Sequence, residues 1–170
     1  MNPTSSSPPC PKAAAPDESI RRTVRRGRVS WLTHPPAGAA RVTVESHAVA
    51  AMPVSLPAGD PIPGEATPGE LLAMSYGMFL AAALSEDLAL AGRPVVEVVV
   101  EAACAFGGEL SDRELVGLDL QVWGRVPDID PSDFAEAVER ARPVALRAAG
   151  ARLDLPGSLE SGLYGSIERV

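Results

Sequence analysis

The chain has 170 residues, of which 46% are hydrophobic and 22% are charged, and its formal net charge is −7. A chain of this length can bury one substantial core, and this composition is ordinary for a globular domain. The acidic balance argues against general nucleic-acid binding, which needs clustered Lys and Arg to displace counterions from phosphates. Aromatic residues make up only 4% of the chain, so the core must be built mainly from Val, Leu and Ala.

The N-terminal segment and the most apolar stretch bear on domain limits and localisation. Residues 1–20 are rich in Pro, Ser and Ala and predict a disordered tail, because such residues bury too little surface to offset the entropy of ordering. Residues 21–170 are predicted to form one domain. The tail has no apolar signal segment, and the apolar stretch at residues 71–90 contains Ser, Glu and Asp, which favours a core helix over a membrane span. We therefore expect a cytoplasmic protein without a membrane partner.

The two cysteines, Cys10 and Cys104, constitute neither a disulfide framework nor a metal-ligand cluster. No catalytic Ser/His/Asp spacing and no phosphate-binding glycine loop is present. The sequence therefore predicts no metal and no cofactor.

Three strands are predicted before the first helix, over residues 24–32, 40–45 and 52–56. Apolar and polar residues alternate there with a period of two, and Val42 and Val44 share one face of the second strand. This alternation is typical of a half-buried antiparallel strand.

The first helix has the best-defined start in the chain. Thr67, Pro68 and Glu70 occupy the N-cap, N1 and N3 positions of a capping box, and Gly92 followed by Pro94 supplies the stop. Between them, apolar residues lie on nearly every side of the helix: Leu71, Leu72, Met74, Met78, Phe79, Leu80, Leu84 and Leu88. Such a helix is buried on most sides. One three-stranded sheet cannot cover it, which makes an intertwined dimer physically reasonable.

Two strands follow the first helix, over residues 95–106 and 116–123. In the first of them, one face is predicted to point into the core: Val96, Val98, Val100, Ala102 and Cys104. In the second, Val116, Leu118, Leu120 and Val122 are predicted to share a face.

The second helix is predicted to begin at Asp130 and Pro131. Its inner face is expected to contain Phe134, Val138 and Ala141, and Pro143 is expected to kink or break it, because proline lacks the N–H and its ring meets the preceding turn. A last strand is predicted near residues 151–155. The element order is therefore βββ-α-ββ-α, followed by that strand.

Several of these segments together resemble the OsmC/Ohr superfamily of osmotically inducible and organic-hydroperoxide-resistance proteins. Trp31 resembles an early Trp of that family, and residues 64–73, GEATPGELLA, resemble its G-x-x-T-N-P-E-E-L-L-A signature. Residues 75–79, SYGMF, stand where the family has A-x-A-C-F. RVPDID at residues 125–130 resembles V-P-G-I-D, and residues 142–144, RPV, stand where the family has C-P-V. The resemblance spans about residues 24–149.

The resemblance implies an α+β fold with antiparallel sheets around a long buried central helix, in an intertwined homodimer whose active sites lie at the subunit interface. The implied activity is peroxiredoxin-like reduction of organic hydroperoxides in oxidative stress defence. In the family, a cysteine at the position of Met78 attacks the peroxide, and a cysteine at the position of Arg142 resolves the product as a disulfide. A glutamate at the position of Glu70, together with an arginine, activates the attacking thiolate.

This sequence departs from the family at both cysteine positions, because a thioether at Met78 and a guanidinium at Arg142 cannot carry out the disulfide cycle. Arginine is also missing from residues 34–38 and 52–67, where the family supplies it, so Arg28 or Arg41 would have to substitute. If the family pocket persists, residues on the helices would line it with Met78: Ser75, Tyr76, Phe79 and Arg142. Arg142 would then form an ion pair with Glu70.

Three functions remain open from the sequence. The first is an OsmC-like homodimer without peroxidase activity that keeps the pocket for a small apolar or hydroperoxide-like ligand. The second is a thiol-dependent hydroperoxide reductase that uses Cys104, although a thiol facing an apolar core has a raised pKa and is inert. The third is a structural or regulatory dimer with no ligand.

Overall fold

The computed structural model describes residues 25–32, 39–55, 63–108, 112–152 and 154–164. Its elements are β1 Gly27–Leu32, β2 Ala39–Val44, β3 Met52–Ser55, α1 Pro68–Leu90, β4 Glu97–Gly107, β5 Glu114–Arg125, α2 Pro131–Ala148 and β6 Leu159–Leu163. The predicted α+β class and the order βββ-α-ββ-α are confirmed. The tail predicted over residues 1–20 lies outside the described residues.

The strands form two three-stranded sheets, ordered β1-β2-β3 and β4-β5-β6. All pairs are antiparallel except β5 and β6, which are parallel. The expectation of antiparallel sheets is therefore wrong for the last strand. Helix α2 carries the chain back between β5 and β6, and a crossover of this kind is what parallel neighbours require.

The strand predicted at residues 151–155 is also wrong, because the described residues of this segment lie outside every strand. The Ala151 N–H donates to the Leu146 carbonyl at 2.8 Å, which ends the helix. Ala151 and Leu155 add to the core without joining a sheet.

The predicted capping box at the start of α1 is confirmed. The Glu70 N–H donates to Thr67 Oγ1 at 3.2 Å, and the Thr67 N–H donates to Glu70 Oε2 at 2.6 Å. At the other end, Gly92 has a φ of +74°, and the Arg93 N–H donates to the Leu88 carbonyl at 2.8 Å. The sequence signals at both ends therefore set the length of the helix.

The core lies between the two helices and one face of the second sheet. Its largest fully buried side chains come from α1, β5 and α2: Leu80, Leu84, Leu88, Leu118, Leu120, Val122, Phe134 and Val138. The inner face predicted for α2 is confirmed, since Ala141 is buried with Phe134 and Val138.

The sequence led us to expect a kink or a break in α2 at Pro143. The helix is not broken there and continues to Ala148. The residues on both sides of the proline, Ala141, Ala145 and Leu146, are buried on one continuous face. Burial of that face offsets the cost of about 3 kcal/mol that an internal proline carries.

The predicted core face of β4 is confirmed except at its start. Its members Val98, Val100, Ala102 and Cys104 pack against the core, whereas Val96 precedes the strand and is 61% exposed. A register shift between Ala105 and Phe106 pairs Phe106 with Leu115. Leu115 therefore faces the core in place of Val116, which is 46% exposed, because one extra residue in a strand reverses the faces that follow.

Helix α1 is central, but the described part of the chain buries only one of its faces. Its outer face carries Met74, Met78 and Phe79, which are 53%, 68% and 40% exposed. By length and composition alone α1 is long and apolar enough to cross a membrane. However, α1 packs against β4 and α2, as the core helix of a folded domain does. Such a core helix can be as long and as apolar as a membrane span.

Candidate functional site

Glu70 lies in the first turn of α1, where its carboxylate closes the capping box. The backbone N–H of Thr67, followed by the Thr67 hydroxyl, holds the pKa of Glu70 below its ordinary value. Hydrogen bonds to the charged form favour ionisation, so the group is a carboxylate at neutral pH. Glu70 therefore has the structural role that the sequence assigned to it.

Met78 lines an open groove of about 730 Å³ between α1 and β4. We call this the Met78 groove, and its walls include Val49, Glu70, Met74, Met78, Val100 and Ala102. Val49 comes from the connection between β2 and β3, so residues from the first sheet's connection, from α1 and from β4 all line this groove. Apart from Glu70, the side chains in this set are apolar, and the groove suits a small apolar molecule.

Three of the predicted pocket residues on α1 lie outside the Met78 groove. Tyr76 is 5% exposed and belongs to the hydrophobic core, and this burial raises the pKa of its hydroxyl. Ser75 is half-buried and does not line the Met78 groove. Phe79, the next residue along the helix from Met78, is 40% exposed but also lies outside that groove.

Arg142 lies on α2, and its Nε is buried without a hydrogen-bond partner. Nearby on the same helix, Arg140 donates to Asp87 at 2.9 Å. This part of α2 therefore lies beside the C-terminal end of α1. Asp87 is about 25 Å along α1 from Glu70 at 1.5 Å per residue. Accordingly, among the described residues Arg142 makes no ion pair with Glu70.

The two arginines proposed to substitute for the family's activating arginine also stay away from Glu70. Arg41 donates to the Ala51 carbonyl at 3.1 Å, and Arg28 is exposed on β1. Within the part of the chain that the structure describes, Glu70 has no ion-pair partner, and no group of three or more His, Cys, Asp or Glu residues is placed to hold a metal.

A second groove, of about 580 Å³, lies on the other side of Glu70. We call it the Cys104 groove, and its walls include Glu70, Leu72, Ala102, Cys104, Phe106 and Arg113. Cys104 is half-buried and packs against the core, as predicted. Burial raises the pKa of its thiol, so the protonated form predominates at neutral pH.

Arg113 is a residue that sequence reasoning missed. It directly precedes β5, whose first residue, Glu114, pairs with Gly107 at the end of β4. The hairpin therefore brings Arg113 to the mouth of the groove that Cys104 lines. The one signal available was the short gap between the two strands predicted over residues 95–106 and 116–123, because residues that flank a hairpin loop lie close together.

No protein-family model matches the sequence, and no curated protein matches it. Solved structures do match. An OsmC-like protein of unknown function from Vibrio cholerae superposes with a TM-score of 0.64 at 9% identity, over 83% of this chain and 100% of that one. An organic hydroperoxide resistance protein from Elizabethkingia anophelis gives 0.59 at 17% identity, over 84% and 99%. The protein OhrB of Bacillus subtilis gives 0.56 at 17% identity, over 81% and 98%.

This chain has the OsmC/Ohr fold. The matches cover nearly the whole of each of these three structures. At these identities the likeness shows the fold alone, and the chemistry has to be argued from the residues. In this OsmC/Ohr fold, α1 carries Met78 and contains no cysteine.

Proposed function

We propose that this chain is a cytoplasmic member of the OsmC/Ohr family that has lost the thiol-peroxidase activity and binds a small apolar molecule. The observation that carries the proposal is the Met78 groove, which is open on the scaffold's central helix but offers a thioether where the family motif has a thiol. A thioether cannot form the sulfenic acid and disulfide of the peroxidase cycle.

The proposal includes a homodimer, supported by the exposure of apolar side chains in the single chain. Met78 on α1 and Val29 on β1 are 68% and 66% exposed. An exposed apolar face that continues over a helix of this length is typical of an interaction surface. A second copy that covers this face would turn the Met78 groove into an interface pocket.

A hydroperoxide assay tests the loss of activity. Purified protein is supplied with cumene hydroperoxide or tert-butyl hydroperoxide and with dihydrolipoamide as reductant, and OhrB of Bacillus subtilis is assayed in parallel. We expect consumption no faster than in protein-free controls. Sustained turnover by the wild-type chain would overturn the proposal.

A second candidate function is hydroperoxide reduction by Cys104, favoured by its position in a groove that also holds Glu70 and Arg113. The thiolate sulfur would attack the distal peroxide oxygen, so that an S–O bond forms, the O–O bond breaks and the alcohol leaves with a proton. A dithiol would then reduce the sulfenic acid and release water. The raised pKa of Cys104 weighs against this route, because only the thiolate attacks.

Mass spectrometry separates the two candidates. After treatment with cumene hydroperoxide and a dimedone-type trap, the first proposal predicts an unmodified Cys104. A trapped sulfenic acid at Cys104, together with turnover that disappears in Cys104→Ser, would establish the second candidate instead.

A further inference from the structure

We propose that the Cys104 groove binds an amphipathic monocarboxylate, with the hydrocarbon chain along the groove and the carboxylate on Arg113. This site is distinct from the Met78 groove, although both grooves share Glu70, Ala73 and Ala102. The inference does not depend on the absence of peroxidase activity, because it concerns binding and invokes no reaction of the thiol.

The apolar walls of the groove indicate the hydrocarbon chain of the ligand. Leu72 on α1 and Ala102, Cys104 and Phe106 on β4 present a continuous apolar surface. Phe106 closes one side: a Cβ on Gly69 would lie 3.0 Å from Phe106 Cε2, so the ring lies directly over the backbone of the first helical turn. A volume of about 580 Å³ falls within the range of small-molecule sites and can hold a medium-length chain.

The charge of Arg113 indicates the carboxylate headgroup of the ligand. Arg113 is exposed at the groove, and among the described residues it makes no hydrogen bond or ion pair. Its guanidinium is thus available to a carboxylate, which it can bind with two parallel hydrogen bonds.

The other charged group in the groove, Glu70, is already engaged in the capping box of α1. Its carboxylate accepts the Thr67 N–H at 2.6 Å and lies at the N-terminus of α1, where the helix dipole favours negative charge. Arg113 is therefore the charged group in this groove that is available to a ligand headgroup, and its guanidinium favours a carboxylate over a neutral or cationic headgroup at that end.

Cys104 provides a direct readout of occupancy, because its thiol lines the groove. The full-length protein is alkylated with N-ethylmaleimide in the presence of decanoate or of 1-decanol, which has the same chain length and no charge. Peptide mass spectrometry gives the rate at Cys104, with Cys10 as an internal reference. We expect decanoate at about ten times its Kd to slow alkylation of Cys104 about tenfold, to leave Cys10 unaffected, and to act at lower concentration than 1-decanol.

Arginine variants test the carboxylate contact, with isothermal titration calorimetry as a second measure that does not need the thiol. Arg113→Ala should weaken decanoate binding about tenfold and leave 1-decanol unchanged, and Arg113→Lys should recover part of the loss. Arg147→Ala removes an exposed arginine that is not part of this groove and should have no effect. The inference is overturned if decanoate does not bind, if the acid and the alcohol protect equally, or if Arg113→Ala binds decanoate as the wild type does. Each of these results is independent of the hydroperoxide assay.

Discussion

The two faces of α1 are built from the same kinds of residue but differ in burial. On the inner face Leu80 and Leu84 are fully buried, whereas on the outer face Met74 and Met78 are 53% and 68% exposed. The difference arises from neighbours, because α2 and β4 cover one side of the helix and the described part of the chain leaves the other open. The outer face is therefore where a second surface has most to gain by packing.

Truncation on each face should give the largest contrast. Leu84→Ala should lower the free energy of unfolding by about 2–5 kcal/mol at every protein concentration, since it leaves a cavity in the core. Met78→Ala should have an effect that grows with protein concentration, because in the proposed dimer association would bury this side chain. Urea unfolding over a hundredfold range of protein concentration checks both. An equal, concentration-independent loss in the two variants would show that the outer face is covered within one chain.

A charge on the outer face should separate the subunits. Met78→Glu should weaken the dimer by about 2 kcal/mol or more, as expected for a buried interface position, and Met78→Leu should keep it. Sedimentation equilibrium should give twice the 17.6 kDa chain mass for the wild type and Met78→Leu, and a single chain for Met78→Glu. A wild-type chain that is monomeric at high concentration would contradict the proposed dimer.

Removal of the helix cap should have a smaller effect that does not distinguish the two faces. Thr67→Ala deletes the hydroxyl that accepts the Glu70 N–H and should lower stability by about 1 kcal/mol. Thr67→Ser keeps the acceptor and serves as the matched control. Thermal unfolding followed by circular dichroism measures both, and an unchanged midpoint in Thr67→Ala would mean that the cap does not hold α1 in solution.

The smallest expected effect is the pH dependence of that cap. The pKa of Glu70 is lowered in the folded state from an ordinary value near 4.5, so its stabilising contribution is fully present above that value. The contribution is lost as the pH falls through the lower folded value. Wild type should therefore be more stable than Glu70→Gln at neutral pH, and the gap should close on acidification. Glu86→Gln, on the same helix but outside the cap, should show no such convergence, and a gap that persists at low pH would exclude the carboxylate as its source.

The sequence predicted elements whose signals are local. The Thr67–Glu70 cap spans one helical turn, and the inner face of α2 follows from the spacing of Phe134 and Val138. The features that the sequence did not predict correctly depend on contacts with residues far away in the chain. Pro143 stays inside α2 because the helix is held by packing on both sides of it, and Leu115 faces the core because of a register shift opposite Phe106. Neither cause can be read from the neighbouring residues.

The amino-acid sequence by itself determined the order βββ-α-ββ-α of the first seven elements, the ends of α1, the resemblance to OsmC/Ohr proteins and the absence of a thiol from the central helix. These depend on hydrogen bonds and apolar spacings within a few residues, or on residue identity alone. Tertiary structure decided which face of α1 is buried, and it separated Arg142 from Glu70. It also brought Cys104 and Arg113 to one groove, because the pairing of β4 with β5 and their packing on α1 join residues that are far apart in the chain.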